Sequence, residues 1–342
     1  MIIRVTDPTH ASEARRHAAA YADHANLGER ERGSLAIVVT EMATNLVKHA
    51  GSGIIVVDAV GHNGGAGVRV LGLDKGPGIR DLSAALRDGY STVGTGGNGL
   101  GAIRRLSSAF DIHTSPGLGT AVLAEFWPHQ RSASRPSPID VGVVSIPIKG
   151  EDCCGDGWGA RKTADSMLLM VVDGLGHGIL ASEAAREGER VFADSRTDSP
   201  TPILQDSHDS LKKTRGAAMA IVSLHLERQL VSFAGVGNIG SYIVRPDTTR
   251  GMASHNGTLG HHLHRIQEFS FPWDADSILV MHSDGLKSGW DLKPYPGIWS
   301  KHPGLIAGML YRDFARDRDD VTILVAKNGT DKNGPEMSAA CN

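Results

Sequence analysis

The sequence predicts an α+β protein of two domains, and three observations carry that prediction. The chain has 342 residues, beyond the size at which a single core keeps growing, so two compact units are expected. The stretch His129-Gln-Arg-Ser-Ala-Ser-Arg-Pro136-Ser-Pro138 lacks any hydrophobic period and has linker composition. The patterns on its two sides also differ, with helical periodicity and a few strands before it and many short strands after it. The boundaries read as a first domain over 1–128, a linker over 129–139, a second domain over 140–328 and a flexible tail over 329–342. A Pro/Ser linker of this kind predicts two sites without a fixed mutual orientation.

In the first domain an alanine-rich helical stretch at about 9–27 precedes a helix around 31–49. Two short strands follow, Ile54 to Val60 and Val68 to Leu73. A glycine-rich region over 89–101, a helix over 100–109 and a strand over 120–127 complete the pattern. The second domain is strand-rich, with strands expected over 141–148, 167–172, 217–226, 229–234, 241–244, 277–282 and 321–326. Helices near 178–192 and 303–316 interrupt them, which predicts a β-sandwich covered by helices.

Composition excludes several classes of function. Net charge is −3 with both signs interspersed, so neither a nucleic-acid stripe nor a polybasic membrane patch is expected. No apolar run approaches the roughly 20 residues of a membrane-spanning helix, and the N-terminus lacks a signal-peptide layout. A cytoplasmic protein is expected. Cys153, Cys154 and Cys341 have no zinc-type spacing, which fits a reducing compartment.

On the helix ending at His49, Leu35, Val39, Met42, Ala43 and Leu46 form one apolar stripe. Glu41, Asn45, Lys48 and His49 fall on the opposite arc, either as a solvated face or as a site. Glu41 and Asn45 stand one turn apart, so a carboxylate and an amide oxygen point the same way, as ligands of a hard cation such as Mg²⁺ do. Asp74 ends a strand before Gly76-Pro77-Gly78. This is common turn chemistry, or an acceptor for the exocyclic amine of adenine with glycines that admit the base. Gly94-Thr-Gly96-Gly97-Asn-Gly99-Leu100-Gly101 opens a helix, where free amides and the helix dipole favour phosphate.

In the second domain Asp156, Asp173, Asp284 and the pair Asp319-Asp320 lie beside glycines or at strand termini. One Asp-Gly is usually a turn, but aspartates converging from several strands can hold two hard cations about 3.5–4 Å apart. An all-oxygen donor set suits Mn²⁺ or Mg²⁺. His177 reads equally as a helix cap or as a group behind the ligands. His261-His262-Leu263-His264 reads as a loop surface, and Cys153 and Cys154 as small packed side chains.

Taken together, Glu41/Asn45/His49, Asp74/Gly76/Gly78 and Gly97/Gly99/Gly101, followed by Gly117-Leu-Gly119-Thr120, resemble the GHKL (Bergerat) ATP-binding superfamily. The resemblance is to its anti-sigma-factor serine kinase branch. It implies an N-terminal α/β sandwich in which Asn45 ligates Mg²⁺ with ATP, Asp74 holds adenine and Glu41 is the base toward a serine hydroxyl. Lys48, His49, Gly76, Gly78, Gly97, Gly99, Leu100, Gly101 and Thr120 complete the implied nucleotide site. Gly155-Asp156, Asp173-Gly-Leu-Gly-His-Gly178, Phe233-Ala-Gly-Val-Gly-Asn238, Ser283-Asp-Gly285 and Asp319-Asp-Val-Thr322 resemble the PPM phosphatases, in the branch of the sporulation phosphatase SpoIIE. That resemblance implies a β-sandwich flanked by helices and two Mn²⁺ or Mg²⁺ ions on Asp156, Asp173, the Gly174 carbonyl, Asp284 and Asp319. Asp319 is preferred over Asp320, with the register open by one. Jointly the resemblances imply a bifunctional regulator of partner switching, in which kinase and phosphatase act on Ser/Thr of a STAS-domain protein. The alternative is a phosphatase whose ATP-binding domain only senses nucleotide or binds a partner.

Overall fold

A computed structural model of the chain describes residues 1–62, 65–87, 99–128, 138–263 and 265–329. The first domain runs β1 (Ile2–Val5), α1 (His10–His24), α2 (Glu29–Ala50), β2 (Gly53–His62), β3 (Gly65–Leu73), α3 (Leu82–Ala85), α4 (Gly99–Leu106), β4 (Ala109–Thr114) and β5 (Thr120–Phe126). Its five strands form one antiparallel sheet in the order β1-β2-β3-β5-β4. Helix α1 buries Ala14, Ala18 and Ala22 at four-residue spacing. Helix α2 buries the predicted stripe together with Val38 and ends at Gly51, whose φ of 76° favours glycine. The expected helix over 100–109 stops at Leu106, and Ala109–Thr114 is an edge strand instead.

The second domain runs β6 (Ile139–Ile146), β7 (Asp156–Lys162), β8 (Ser166–Gly174), α5 (Ile179–Asp194), α6 (Pro200–Leu211), β9 (Ala217–His225), β10 (Leu230–Val236) and β11 (Gly240–Val244). The short β12 (Thr249–Gly251), β13 (Gly257–Thr258), β14 (His262–Leu263) and β15 (Phe269–Pro272) follow. Then come β16 (Ile278–His282), α7 (Pro303–Phe314) and β17 (Val321–Asn328). Two five-stranded antiparallel sheets, β15-β10-β9-β8-β7 and β12-β11-β16-β17-β6, face each other over a core that includes Leu169, Val171, Val222, Phe233, Leu279 and Leu324. Helices α5 and α6 cover the outside of the first of these sheets. Sequence reading missed β1, β4, β7, α6 and the short strands. The strands are edge or brief elements, and α6 opens on Pro200-Thr-Pro202, which reads as a loop.

Helix α7 lies between the two domains. Alternate residues of β2, β3 and β5 face opposite ways: Ile55, Val57, Val68, Val70, Val122 and Ala124 pack on α1 and α2. Val56, Leu71, Leu73, Ala121 and Leu123 pack instead with Leu305, Ile306, Met309 and Leu310 of α7 and with the outer face of the β6-bearing sheet. Glycines permit this approach. A Cβ on Gly142 would stand 1.9 Å from the Gly304 nitrogen, and one on Gly308 would stand 3.0 Å from Leu71 Cδ1.

Polar groups close the edges of the same interface. Arg69 Nε donates to Glu125 Oε1 at 2.8 Å, with side chains only 6% and 7% exposed, and the guanidinium reaches the Val143 carbonyl. Asp111 accepts from Lys301 Nζ and from the His302 amide. The expectation of two freely oriented sites is therefore corrected. Linker composition reports only on the connecting segment, whereas an apolar sheet face on one domain and an apolar helix on the other exclude water by packing together.

Candidate active sites

The nucleotide side is built at the C-terminal half of α2. Glu41 and Asn45 converge on the first residue of α4: a Cβ on Gly99 would lie 3.3 Å from Glu41 Oε2 and 3.4 Å from Asn45 Oδ1. A carboxylate and an amide thus meet at a helix N-terminus, where a magnesium-bound phosphate would find both oxygen ligands and free amides. Asp74 follows β3. Its Oδ1 accepts the Gly76 amide at 2.8 Å and the Thr120 amide at 3.1 Å.

Burial pushes the Asp74 carboxyl up, and those two amides pull it back. Gly78 and Gly119 hold φ of +73° and +74° and press against Ser115 and Asp74 backbone, leaving no room for a side chain. His49 is exposed but close enough to Asp74 to act on its charge, and Lys48 is exposed beside it. Leu100 is half-buried and Gly101 buried on α4. Gly97 and the rest of 88–98 lie outside the described residues.

The acidic side draws on both sheets of the sandwich. Asp156 opens β7 and stands directly across from Asp173 on β8. Asp284 follows β16, and Asp319 and Asp320 precede β17. Among the described residues no three carboxylate, histidine or cysteine side chains form a closed metal-ligating group, yet the aspartates crowd one another. Burial and the charges of Asp156, Asp284, Asp319 and Asp320 push Asp173 up to about 9. Burial, with Asp320 and Asp319 adding to it, pushes Asp156 up to about 7. Such a cluster fits a site for hard divalent cations, whose charge would offset this repulsion.

The Asp319-Asp320 pair divides its labour. Asp320 is 2% exposed, its Oδ1 accepts the Ile148 amide at 2.8 Å, and its Oδ2 is buried with no hydrogen-bond partner. Asp319 is more open, and its charge adds to burial in pushing Asp284 up. Asn238 Nδ2 donates to Asp284 Oδ2 at 2.9 Å. Gly174 is buried, and its amide is tied to the Gly155 carbonyl. His177 does not cap α5, whose first turn starts after Gly178. Its Nδ1 faces Glu151 Oε1 at 2.9 Å instead.

Sequence reasoning assigned no role to Ser283, His282 or Trp290. Ser283 Oγ donates to Asp156 Oδ2 at 2.6 Å and accepts the Thr322 amide at 2.9 Å, which ties the two sheets at the acidic end. Trp290 Nε1 donates to His282 Nε2 at 3.0 Å, so the His282 Nδ1–H is free to donate to the Ser283 carbonyl. The Ser and Thr in Ser283-Asp-Gly and Asp320-Val-Thr322 were legible as residues flanking acidic turns, but their pairing is tertiary. Cys154 accepts weakly from Ser145 Oγ, and burial with the Asp156 charge pushes its thiol up to about 12. It is an inert, packed thiol.

Residues 5–126 match the histidine kinase-like ATPase domain, and residues 163–328 match stage II sporulation protein E (SpoIIE). The serine/threonine-protein kinase RsbT of Bacillus subtilis (strain 168) is 33% identical over 100 residues, covering 29% of this chain and 75% of RsbT. The chain belongs to the RsbT family of histidine kinase-like ATPases, fused to a SpoIIE-type PPM phosphatase domain. The phosphoserine phosphatase RsbX of the same organism is 22% identical to the fusion over 152 residues, 43% of this chain and 75% of RsbX. A solved chain from work on the bacterial stressosome, described as a modular system adapted to control secondary messenger signalling, shares 26% identity. It superposes on the fusion with a TM-score of 0.53, over 56% of this chain and 100% of that one. No helix among the described residues is long and apolar enough to cross a membrane.

Proposed function

We propose that the fusion is a bifunctional regulator of a partner-switching pathway, phosphorylating and dephosphorylating Ser or Thr on a STAS-domain protein. Support comes from one observation above the others. A single chain carries a Glu/Asn pair at a glycine-opened helix, a half-buried, amide-held Asp74 and a crowded five-aspartate end on a phosphatase-type sandwich. The domain limits follow the same reading, with ATP chemistry before about residue 128 and hydrolysis after about 140.

In the first domain Asn45 would hold Mg²⁺ with ATP. The free Asp74 Oδ2 would accept the adenine amine, and Glu41 would take the proton of the attacking hydroxyl. Lys48, His49, Gly76, Gly78, Gly97, Gly99, Leu100, Gly101 and Thr120 would line that pocket. In the second, Asp156, Asp173, the Gly174 carbonyl, Asp284 and Asp319 would hold two Mn²⁺ or Mg²⁺ ions, which when bound supply a water of lowered pKa and polarise the phosphoester. Ser283 fixes the outer oxygen of Asp156, Asn238 orients Asp284, and Asp320 pins the 148–155 loop behind them.

The test uses radiolabelled ATP with a STAS-domain protein as acceptor. Wild type transfers label and Glu41→Ala does not, while Mn²⁺-dependent release of that label is lost in Asp173→Asn. Absence of transfer by wild type, with Mn²⁺-dependent hydrolysis of a separately phosphorylated substrate intact, would reduce the first domain to a nucleotide sensor. Unchanged release in Asp173→Asn would refute the metal assignment.

A further inference from the structure

The phosphatase domain contributes a buried cation to the nucleotide site. Arg312, on α7 of the second domain, has a side chain 2% exposed, and its Nη1 donates to the backbone carbonyl of Asp74 at 2.9 Å. Its other face is locked: Nε and Nη2 donate to Asp313 Oδ1 and Oδ2 at 3.0 and 2.7 Å. Asp313 also accepts from Tyr295 Oη at 2.7 Å and lies 3.8 Å from Lys75 Nζ, the residue after Asp74. A guanidinium held this rigidly fixes the peptide of Asp74 and with it the direction of the carboxylate.

The same helix continues into the metal end. At its end, the carbonyl of its last residue, Phe314, accepts the Lys287 amide at 2.9 Å, and just beyond it the Arg316 amide donates to the Gly285 carbonyl at 2.8 Å. Ala315 bridges to Leu286. Those bonds grip the loop that starts with Asp284, and three residues beyond Arg316 comes Asp319. A continuous path therefore runs from Asp74 through the Arg312 hydrogen bond, along the last turn of α7, to the loop that follows Asp284.

We propose that Arg312 is a positioning residue of the nucleotide site, and that through α7 nucleotide occupancy at Asp74 sets the activity of the aspartate centre. The proposal rests on the nucleotide and metal roles proposed above. A ligand that engages the Asp74 carboxylate differs in its contacts between positions of the Asp74 peptide, and α7 is the element that carries any such difference across the domain boundary.

The test uses the full chain, ADP with Mg²⁺ as nucleotide, and p-nitrophenyl phosphate with Mn²⁺ as a substrate that needs no partner. In wild type, saturating ADP changes kcat/KM for p-nitrophenyl phosphate by about fivefold or more, at the low end of the usual range of coupling between sites. Arg312→Met weakens ADP binding about tenfold, as expected for a lost bond to a charged donor, and flattens the response relative to its own nucleotide-free rate. Arg312→Lys, which keeps charge and one donor, restores part of both. Tyr295→Phe, which only loosens Asp313, gives an intermediate response and serves if the Met variant does not fold.

Calorimetry separates the possible failures. ADP bound by wild type with an unchanged hydrolysis rate overturns the coupling alone. Unchanged ADP affinity in both Arg312 variants overturns the positioning role. No ADP binding by wild type overturns this inference and the nucleotide role of Asp74 together, whereas loss of Mn²⁺-dependent hydrolysis in wild type removes the metal assignment on which the readout depends and overturns the coupling with it.

Discussion

Replacing Glu125 by leucine tests whether the two domains stand as one thermodynamic unit. The carboxylate is 7% exposed in its side chain and faces Arg69 at 2.8 Å, with His302 Nε2 at 3.9 Å and Trp127 Nε1 donating to its second oxygen at 3.3 Å. Glu125→Leu removes the carboxylate hydrogen-bonded to the buried Arg69 guanidinium and leaves only the cross-strand Asp58 near it, which costs up to roughly 3–5 kcal/mol, or about two to nearly four powers of ten in the folding equilibrium. Arg69→Met/Glu125→Leu removes both charges and their desolvation, and recovers most of that loss.

Burial raises the Glu125 carboxyl, but Arg69 and then His302 outweigh it and hold it below the usual carboxylate range. The stabilisation is therefore present at neutral pH and is lost as pH falls through the depressed value, so the single-variant penalty shrinks on acidification. Urea unfolding of the full chain is followed by a fluorescent ATP analogue for the first domain and by p-nitrophenyl phosphate hydrolysis for the second. Both midpoints fall together in Glu125→Leu. A double variant as unstable as the single one, or a hydrolysis midpoint that does not move, refutes the reasoning.

Three further expectations follow from the same geometry. Because Asp173 and Asp156 are pushed up to about 9 and about 7 from 3.8, the folded chain in chelator holds protons the unfolded chain has lost. Its thermal midpoint is then lower at pH 8.5 than at pH 5, and half-saturation by Mn²⁺ tightens as pH rises from 6 to 9. A higher midpoint at pH 8.5 in chelator contradicts this. Asp319→Ala lowers Mn²⁺-dependent hydrolysis about a hundredfold or more. Asp320→Ala chiefly costs stability, about 1–3 kcal/mol for the orphaned Ile148 amide, and the reverse ranking moves the ligand role to Asp320. Gly308→Val drives a side chain into Leu71 and Leu73, costing about 1–3 kcal/mol as overpacking and read as a shifted urea midpoint, while an unaltered midpoint means α7 can give way.

The sequence disclosed the parts of this molecule that depend on local order. The α2 stripe, the Asp-Gly turns and the glycine-opened α4 are short-range patterns, and they led to Glu41 and Asn45, which meet at Gly99, to Asp74, and to the aspartates that crowd one another in the second domain. What it withheld depends on faces and partners. Leu71, Leu73 and Leu123 read as ordinary strand residues, and nothing near them says that their outer face meets a helix more than 180 residues later in the chain. Edge strand β4 was lost because the expected helix ran into its start and left only a short stretch in which Asp111 and His113 alternate with Phe110 and Ile112, and both polar residues turn out to serve the interface with Lys301, His302 and Pro296. Ser283 and Arg312 were invisible for the same reason, since each acts on a carboxylate or carbonyl brought to it by folding.

Helix α7, walled by one sheet on either side, gives the molecule an unusual kind of permanence. Severing the backbone between Phe126 and Ile139 would not release two fragments, because the leucines on the severed side would still have only α7 to cover them. The ratio of the two catalytic halves is thus held at one to one by shape as well as by gene fusion.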